Sequence, residues 1–192
     1  MSRLWLLDNG HGEDTAGKRS PIYGGRQLRE YEFTRDVVRR LALMLSWAGA
    51  EHRVLVPELN DVSLSERVRR ANAWNSNAVY VSVHANAGRG RGYEVFTSPG
   101  QTRSDAIATR FLRSFAQVFP EANLRTDISD GDPDKEANFT VLTDTSMPAI
   151  LTENFFMDNE QECKHYLMDN TGRELIAVAH YQAIMVIEQR GV

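Results

Sequence analysis

The sequence predicts one α/β domain over residues 1–192, a mostly parallel or mixed central sheet flanked by helices, with the active site at the carboxyl ends of its strands. Three observations predict it. Short apolar runs alternate with longer amphipathic stretches, 192 residues of ordinary apolar and charged content suffice for one buried core, and several apolar runs empty into polar residues. The strands expected are 4–7, 52–56, 78–83, 93–97 and 149–152.

Between the strands, segment 33–47 places Phe33, Val37, Val38, Leu41 and Leu45 at helical spacing and leaves Arg35, Arg39 and Arg40 for solvent. Segment 63–75 opens on Ser63 with Glu66 three places on, a capping-box pattern that predicts a second helix. Segments 103–118, with Ile107, Phe111, Leu112 and Phe115 on one stripe, and 173–188, with Leu175, Ile176, Ala179 and Ile184, read as covering helices. Segments 12–27 and 123–137 are long loops, the second holding "DISDGDPDKE"; loops of that length in a compact domain are functional or mobile.

Composition narrows the function. A net charge of −4 gives no basic field to attract nucleic acid or an anionic membrane. Cys163, the single cysteine, excludes an intrachain disulfide and a multi-cysteine zinc knot, and is expected to pack as a small apolar residue. The apolar run 4–7 is too short for a signal-peptide core or a membrane span. A protein acting outside its cell of origin would therefore need another export route, phage lysis, or a trimmed N-terminus.

Ligands collect beyond the carboxyl ends of strands in sheets of this kind. The first strand empties into "DNGHG", bringing Asp8 and His11; "VYVSVHANAGRG" delivers His84; and the strand 149–152 runs into Glu153. Glu30 and Glu32 stand at the start of the arginine-faced helix, where the helix dipole favours a carboxylate. Two neutral imidazoles and one carboxylate form an open catalytic zinc site, with a further carboxylate as base. His52, His165 and His180 sit in strand or helix patterns without such neighbours and read as structural or solvated. Glycines around His11 allow close backbone approach to a metal or substrate. Asp8 fits either a support for a ligating imidazole or a loop cap, and Arg89 and Arg91 fit either a substrate contact or a solvated loop.

The motifs "LLDNGHGED", "REYEFTRDVVRRLALML", "VYVSVHANA" and "MPAILTENFFMDN" occur in this order, within a likeness that covers most of the chain, from Leu4 to the final helix. In this the chain resembles the zinc-dependent N-acetylmuramoyl-L-alanine amidases of type 3, found in bacterial cell-wall hydrolases and phage endolysins. The resemblance implies that His11, Glu30 and His84 bind one Zn2+ and that Glu153 is the catalytic carboxylate; its register selects Glu30 over Glu32. It further implies Asn138 and Phe139 before a short strand, Met147 and Pro148 closing a turn, and Phe155, Phe156 and Asn159 anchoring the loop behind Glu153. Asn154 and Glu13 stand where the family more often has glycine, which bears on the groove and not on the ligands. The loop "GKRSPIYGGRQ" is a candidate reader of the stem peptide, and no inserted helix is expected to block the zinc.

The expected reaction is hydrolysis of the amide between the lactyl group of N-acetylmuramic acid and the L-alanine of the stem. The expected partner is peptidoglycan and the expected place of action the bacterial cell wall, for a monomer without nucleic-acid partner or membrane span. Two rivals use the same residues differently: a zinc peptidase cutting within the stem, and a metal-free wall-binding module.

Overall fold

The structure is a computed structural model and describes residues 3–74 and 77–191. Asn75, the expected last residue of the second helix, lies outside the described residues. The chain runs β1 (Leu4–Asn9), α1 (Glu30–Ala48), β2 (His52–Val54), α2 (Leu64–Asn72), β3 (Ala78–Asn86), β4 (Tyr93–Thr97) and α3 (Arg103–Val118). It continues through β5 (Lys135–Glu136), a single turn α4 (Thr140–Thr143), β6 (Ala149–Phe156), a short α5 (Glu160–Glu162) that widens into a π-turn over Cys163–Leu167, and α6 (Asn170–Arg190).

The strands form one mixed sheet ordered β2-β1-β3-β6-β4-β5. β2, β1, β3 and β6 are parallel, and β4 runs antiparallel to β6. Period-two alternation sorts the side chains onto two faces. Trp5, Leu7, Val79, Val81, Val83, Val95 and Ile150 pack with the apolar stripes of α1, α3 and α6 in the larger core. Leu4, Leu6, Ala78, Tyr80, Ala149 and Leu151 form a smaller core with Ala71, Val141 and Leu142.

Local chemistry sets the helix limits. α1 stops at Gly49, whose φ of 71° closes the helix by donating to the carbonyls of Leu45 and Ser46. Ser63 caps α2 by accepting from the Glu66 N–H, but Glu66 turns its carboxylate to Arg69 and Arg70 instead of completing the box. The expected box therefore forms in half, because two guanidiniums outcompete one backbone N–H for an anion.

Further expectations change: β2 stops at Val54, β3 runs on to Asn86 and so contains His84, and the loop 123–137 holds β5. Arg35 and Arg40 are half-buried, Arg40 paired with Asp36 and Glu174, so only Arg39 is fully solvent-facing. Leu175 is 37% exposed, one place off the buried stripe of α6. The segment after Asn138 and Phe139 is the helical turn α4, not a strand. β6 continues four residues past Thr152, so Glu153 lies inside a strand and is held by its ladder. Cys163 is buried and unpaired, as its solitary occurrence requires.

Candidate active site

β1 ends in Asp8 and Asn9, and the chain then passes close to the end of β3. A Cβ on Gly10 would sit 2.1 Å from the His84 ring, and one on Gly12 would sit 2.0 Å from the Asp61 backbone nitrogen. The two glycines thus permit close packing within the protein, whereas the left-handed backbone falls on His11 itself, at φ 66°. α1 pins this turn: the Thr34 hydroxyl donates to Gly10 O at 2.9 Å and Arg35 Nη1 to His11 O at 2.9 Å.

Glu30 opens α1 and is 1% exposed. Its Oε1 accepts from the Ala85 N–H at 3.1 Å and lies 3.1 Å from His84 Nδ1, and its Oε2 lies 3.4 Å from His11 Nε2. One ligand atom from each of His11, Glu30 and His84 falls within 4.8 Å of the others. Glu32 turns away to accept from the Arg29 N–H at 3.5 Å, which removes it from the cluster. Glu153 pairs directly with His84 across the parallel β3 and β6, so both side chains leave the same face of the sheet.

Electrostatics matches this geometry. Burial pushes the His11 imidazole down to about 4, leaving it neutral at neutral pH and able to offer a lone pair. Burial would lower His84 and raise Glu30, but their mutual contact outweighs it and moves each toward its charged form. Burial raises the Glu153 carboxyl to about 8 in the chain without metal. Glu30 Oε2 and Glu153 Oε2 are both buried without a hydrogen-bond partner. Two imidazoles and buried carboxylate oxygens without hydrogen-bond partners form a nitrogen-and-oxygen donor set that fits zinc.

Two supporting residues had a readable signal, the period-two series Tyr80, Ser82, His84 in β3. The Ser82 hydroxyl donates to Asp8 Oδ2 at 2.7 Å, so its oxygen accepts from His84 Nε2–H at 3.1 Å and leaves Nδ1 facing Glu30. Asp8 also accepts from Tyr80 and from Arg67, and the same guanidinium reaches Asp61 at 2.9 Å. Asp8 therefore acts on the imidazole through a serine, neither as a direct acceptor nor as a loop cap. Asn154, fully buried, donates to His84 O at 2.8 Å and braces the His84 backbone.

A cavity of about 550 Å³ opens over this cluster, lined among others by Lys18, Leu64, Asn138, Phe139, Val141 and Glu153. α4 thus forms a wall of the cavity. Asn86, Arg89 and Arg91 do not line it: Asn86 bonds to Glu94, and Asp158 holds the Gly88 and Arg89 N–H groups at 2.8 and 2.7 Å. Phe155 and Phe156 are buried within β6, and Asn159 caps α5 while donating to Gly90 O. His52 and His165 bond to nearby carbonyls, and His180 is buried against Thr152, away from the cluster.

A mixed α/β sheet with a His–Glu–His cluster and a buried glutamate at its carboxyl edge has the layout of a metallohydrolase. Residues 6–186 match the family model described as N-acetylmuramoyl-L-alanine amidase, and the chain belongs to that family. It is 33% identical over 162 residues, 83% of its length, to the N-acetylmuramoyl-L-alanine amidase CwlM of Bacillus licheniformis. It is 30% identical over 97% of its length to an endolysin of Bacillus phage SPP1. The chain spans 58% and 66% of these two relatives. Among solved structures it resembles the N-acetylmuramoyl-L-alanine amidase AmiC2 of Nostoc punctiforme, with a TM-score of 0.80, 27% identity and 98% of both chains covered. Among the described residues no helix is long and apolar enough to cross a membrane.

Proposed function

We propose that this chain is a zinc-dependent N-acetylmuramoyl-L-alanine amidase, hydrolysing the amide between the lactyl group of N-acetylmuramic acid and the L-alanine of the stem peptide. The observation that carries the reading is the convergence of His11, Glu30 and His84 on one point beneath a cavity that also holds Glu153. His11, Glu30 and His84 would hold one Zn2+, which when bound polarises an amide carbonyl and acidifies water. Glu153 Oε2, unpartnered within the cavity wall, takes the proton of the attacking water and passes it to the departing L-alanine nitrogen. Asp8 and Ser82 keep His84 turned with Nδ1 inward, and Asn154 keeps its backbone in place. Peptidoglycan is the substrate and the cell wall the place of action in this reading.

The test is digestion of purified sacculi with identification of the new end groups, alongside metal analysis. Free L-alanine amines with intact muramyl sugars, and one zinc per chain, are expected. Cuts between stem residues would replace the reading with a peptidase, and wall binding without cleavage or metal would replace it with a binding module.

A further inference from the structure

The loop that carries "DISDGDPDKE" takes no part in the proposed hydrolysis, yet it contains a polar group that is hard to explain by itself. Asp134 is 3% exposed. Its Oδ2 accepts from the Thr97 hydroxyl at 2.6 Å, while its Oδ1 is buried with no hydrogen-bond partner. The carboxyl group of Asp132 stands within hydrogen-bonding reach of it, a contact between two acceptors. Among the described residues no ion pair to a basic side chain answers them. The basic residues flanking the loop, Arg125 and Lys135, are both committed to Glu94, at 2.8 and 2.5 Å. The neighbouring Asp105 spends its oxygens on the Thr102 N–H and hydroxyl at 2.6 and 2.9 Å.

We propose that Asp132 and Asp134 bind a hard divalent cation, calcium, at the end of β4. The donors are all oxygen, with no imidazole or thiolate, which selects calcium or magnesium over zinc. Asp132 and Asp134 fall two residues apart, the spacing of successive side-chain ligands in a calcium loop. Gln101 folds the loop inward, donating to Asp132 Oδ2 at 3.1 Å and to Asp130 O at 3.4 Å. An irregular loop of this kind suits the flexible coordination of calcium better than the strict octahedron of magnesium. Without a cation, burial and the Asp132 carboxylate push Asp134 up to about 7, so the pair eases its repulsion by holding a proton.

The site has a consequence for the cavity. From Asp134 the chain enters β5, which pairs with Phe96 and Thr97 of β4, and then supplies Asn138, Phe139, Thr140 and Val141 to the cavity wall. A bound calcium ties the start of that wall to the sheet.

The experiment is titration of the chelator-treated, dialysed full chain with calcium chloride, followed by calorimetry and by thermal unfolding. One calcium per chain and a rise in Tm are expected. Asp132→Asn and Asp134→Asn should each weaken binding at least tenfold, whereas Glu30→Gln, which disables the other metal cluster, should leave calcium affinity unchanged. If Asp134→Asn fails to fold, the half-buried Asp132→Asn decides alone. Absence of binding to folded wild type up to about 10 mM calcium, beyond the weakest extracellular calcium modules, overturns the proposal. So does binding that survives the Asp132 and Asp134 substitutions, or is lost with Glu30→Gln. A gain in Tm from Asp134→Asn with no calcium response in wild type would identify a proton-sharing pair instead.

Discussion

On one face of the sheet Trp5, Leu7, Val79, Val81, Val83 and Ile150 meet the stripes of α1, α3 and α6, with Asn9, Thr152 and Asn154 as buried polar residues toward the strand ends. On the other face Leu4, Leu6, Tyr80 and Leu151 begin in the same way but give way along each strand to Asp8, Ser82, His84 and Glu153. The same strands serve both faces, so the rigidity of the first is transmitted to the second through shared ladders. Polar groups on the second face are tolerated because each is bonded, or is left for a ligand beneath the cavity. The two faces should therefore fail differently: substitutions on the helical face should cost stability, and those on the cavity face should cost function.

Glu153→Gln should lower amide hydrolysis by about 10²–10⁴-fold, the usual worth of a general base, with no loss in denaturant midpoint; a stability loss in step with activity would blur the division. Phe115→Ala, on the helical face, removes a ring stacked 3.7 Å from Tyr93 and also packed on Phe155. It should cost about 3–5 kcal/mol in urea unfolding while the folded fraction keeps its zinc affinity.

His180 is a titratable polar group on the helical face, buried against Thr152. Burial holds it at about 4, below its ordinary 6.5, so the unfolded chain binds more protons between those values. Stability should be complete above about pH 6.5 and fall as the pH drops toward 4, by about 3 kcal/mol at full effect, at 1.4 kcal/mol per pKa unit. His11 titrates over the same window without metal, so the measurement compares urea midpoints of wild type and His180→Gln across that range; identical slopes would refute the assignment.

Ser82→Ala should weaken zinc binding by about 10–100-fold, the range for residues that orient a metal-bound histidine, as read by competition with a chromophoric chelator. Asp8 would keep its bonds to Tyr80 and Arg67, so the unfolding midpoint should move little. Arg89→Ala, on an exposed loop outside the cavity, should change stability by less than about 0.5 kcal/mol and leave hydrolysis intact; a tenfold activity loss would bring that loop back into substrate recognition.

Five strands, four helices and the meeting of His11, His84 and Glu153 were legible because local period and the strand-end rule act within a few residues, whereas the two-residue β5 lay in a segment read as loop. The alternation in "AVYVSVHAN" also encodes the division between faces, valines one way and Tyr80, Ser82 and His84 the other. The half-formed capping box of α2 and the inward turn of Arg35 were not legible, since each depends on partners 3 to 24 residues away. The helical turn α4 was missed because four residues carry too little periodic signal, and Glu153 was placed one residue beyond a strand that in fact contains it.

The sequence by itself determined the layer order, the apolar stripes and the residue types available at each strand end, since these follow from periodicity and side-chain chemistry. Only the tertiary structure set Glu30 and not Glu32 beside His11 and His84, linked Asp8 to His84 through Ser82, and left Asp134 Oδ1 buried without a partner. Those outcomes depend on which side chains meet across elements distant in the chain, and on whether each buried polar atom finds a bond when they do.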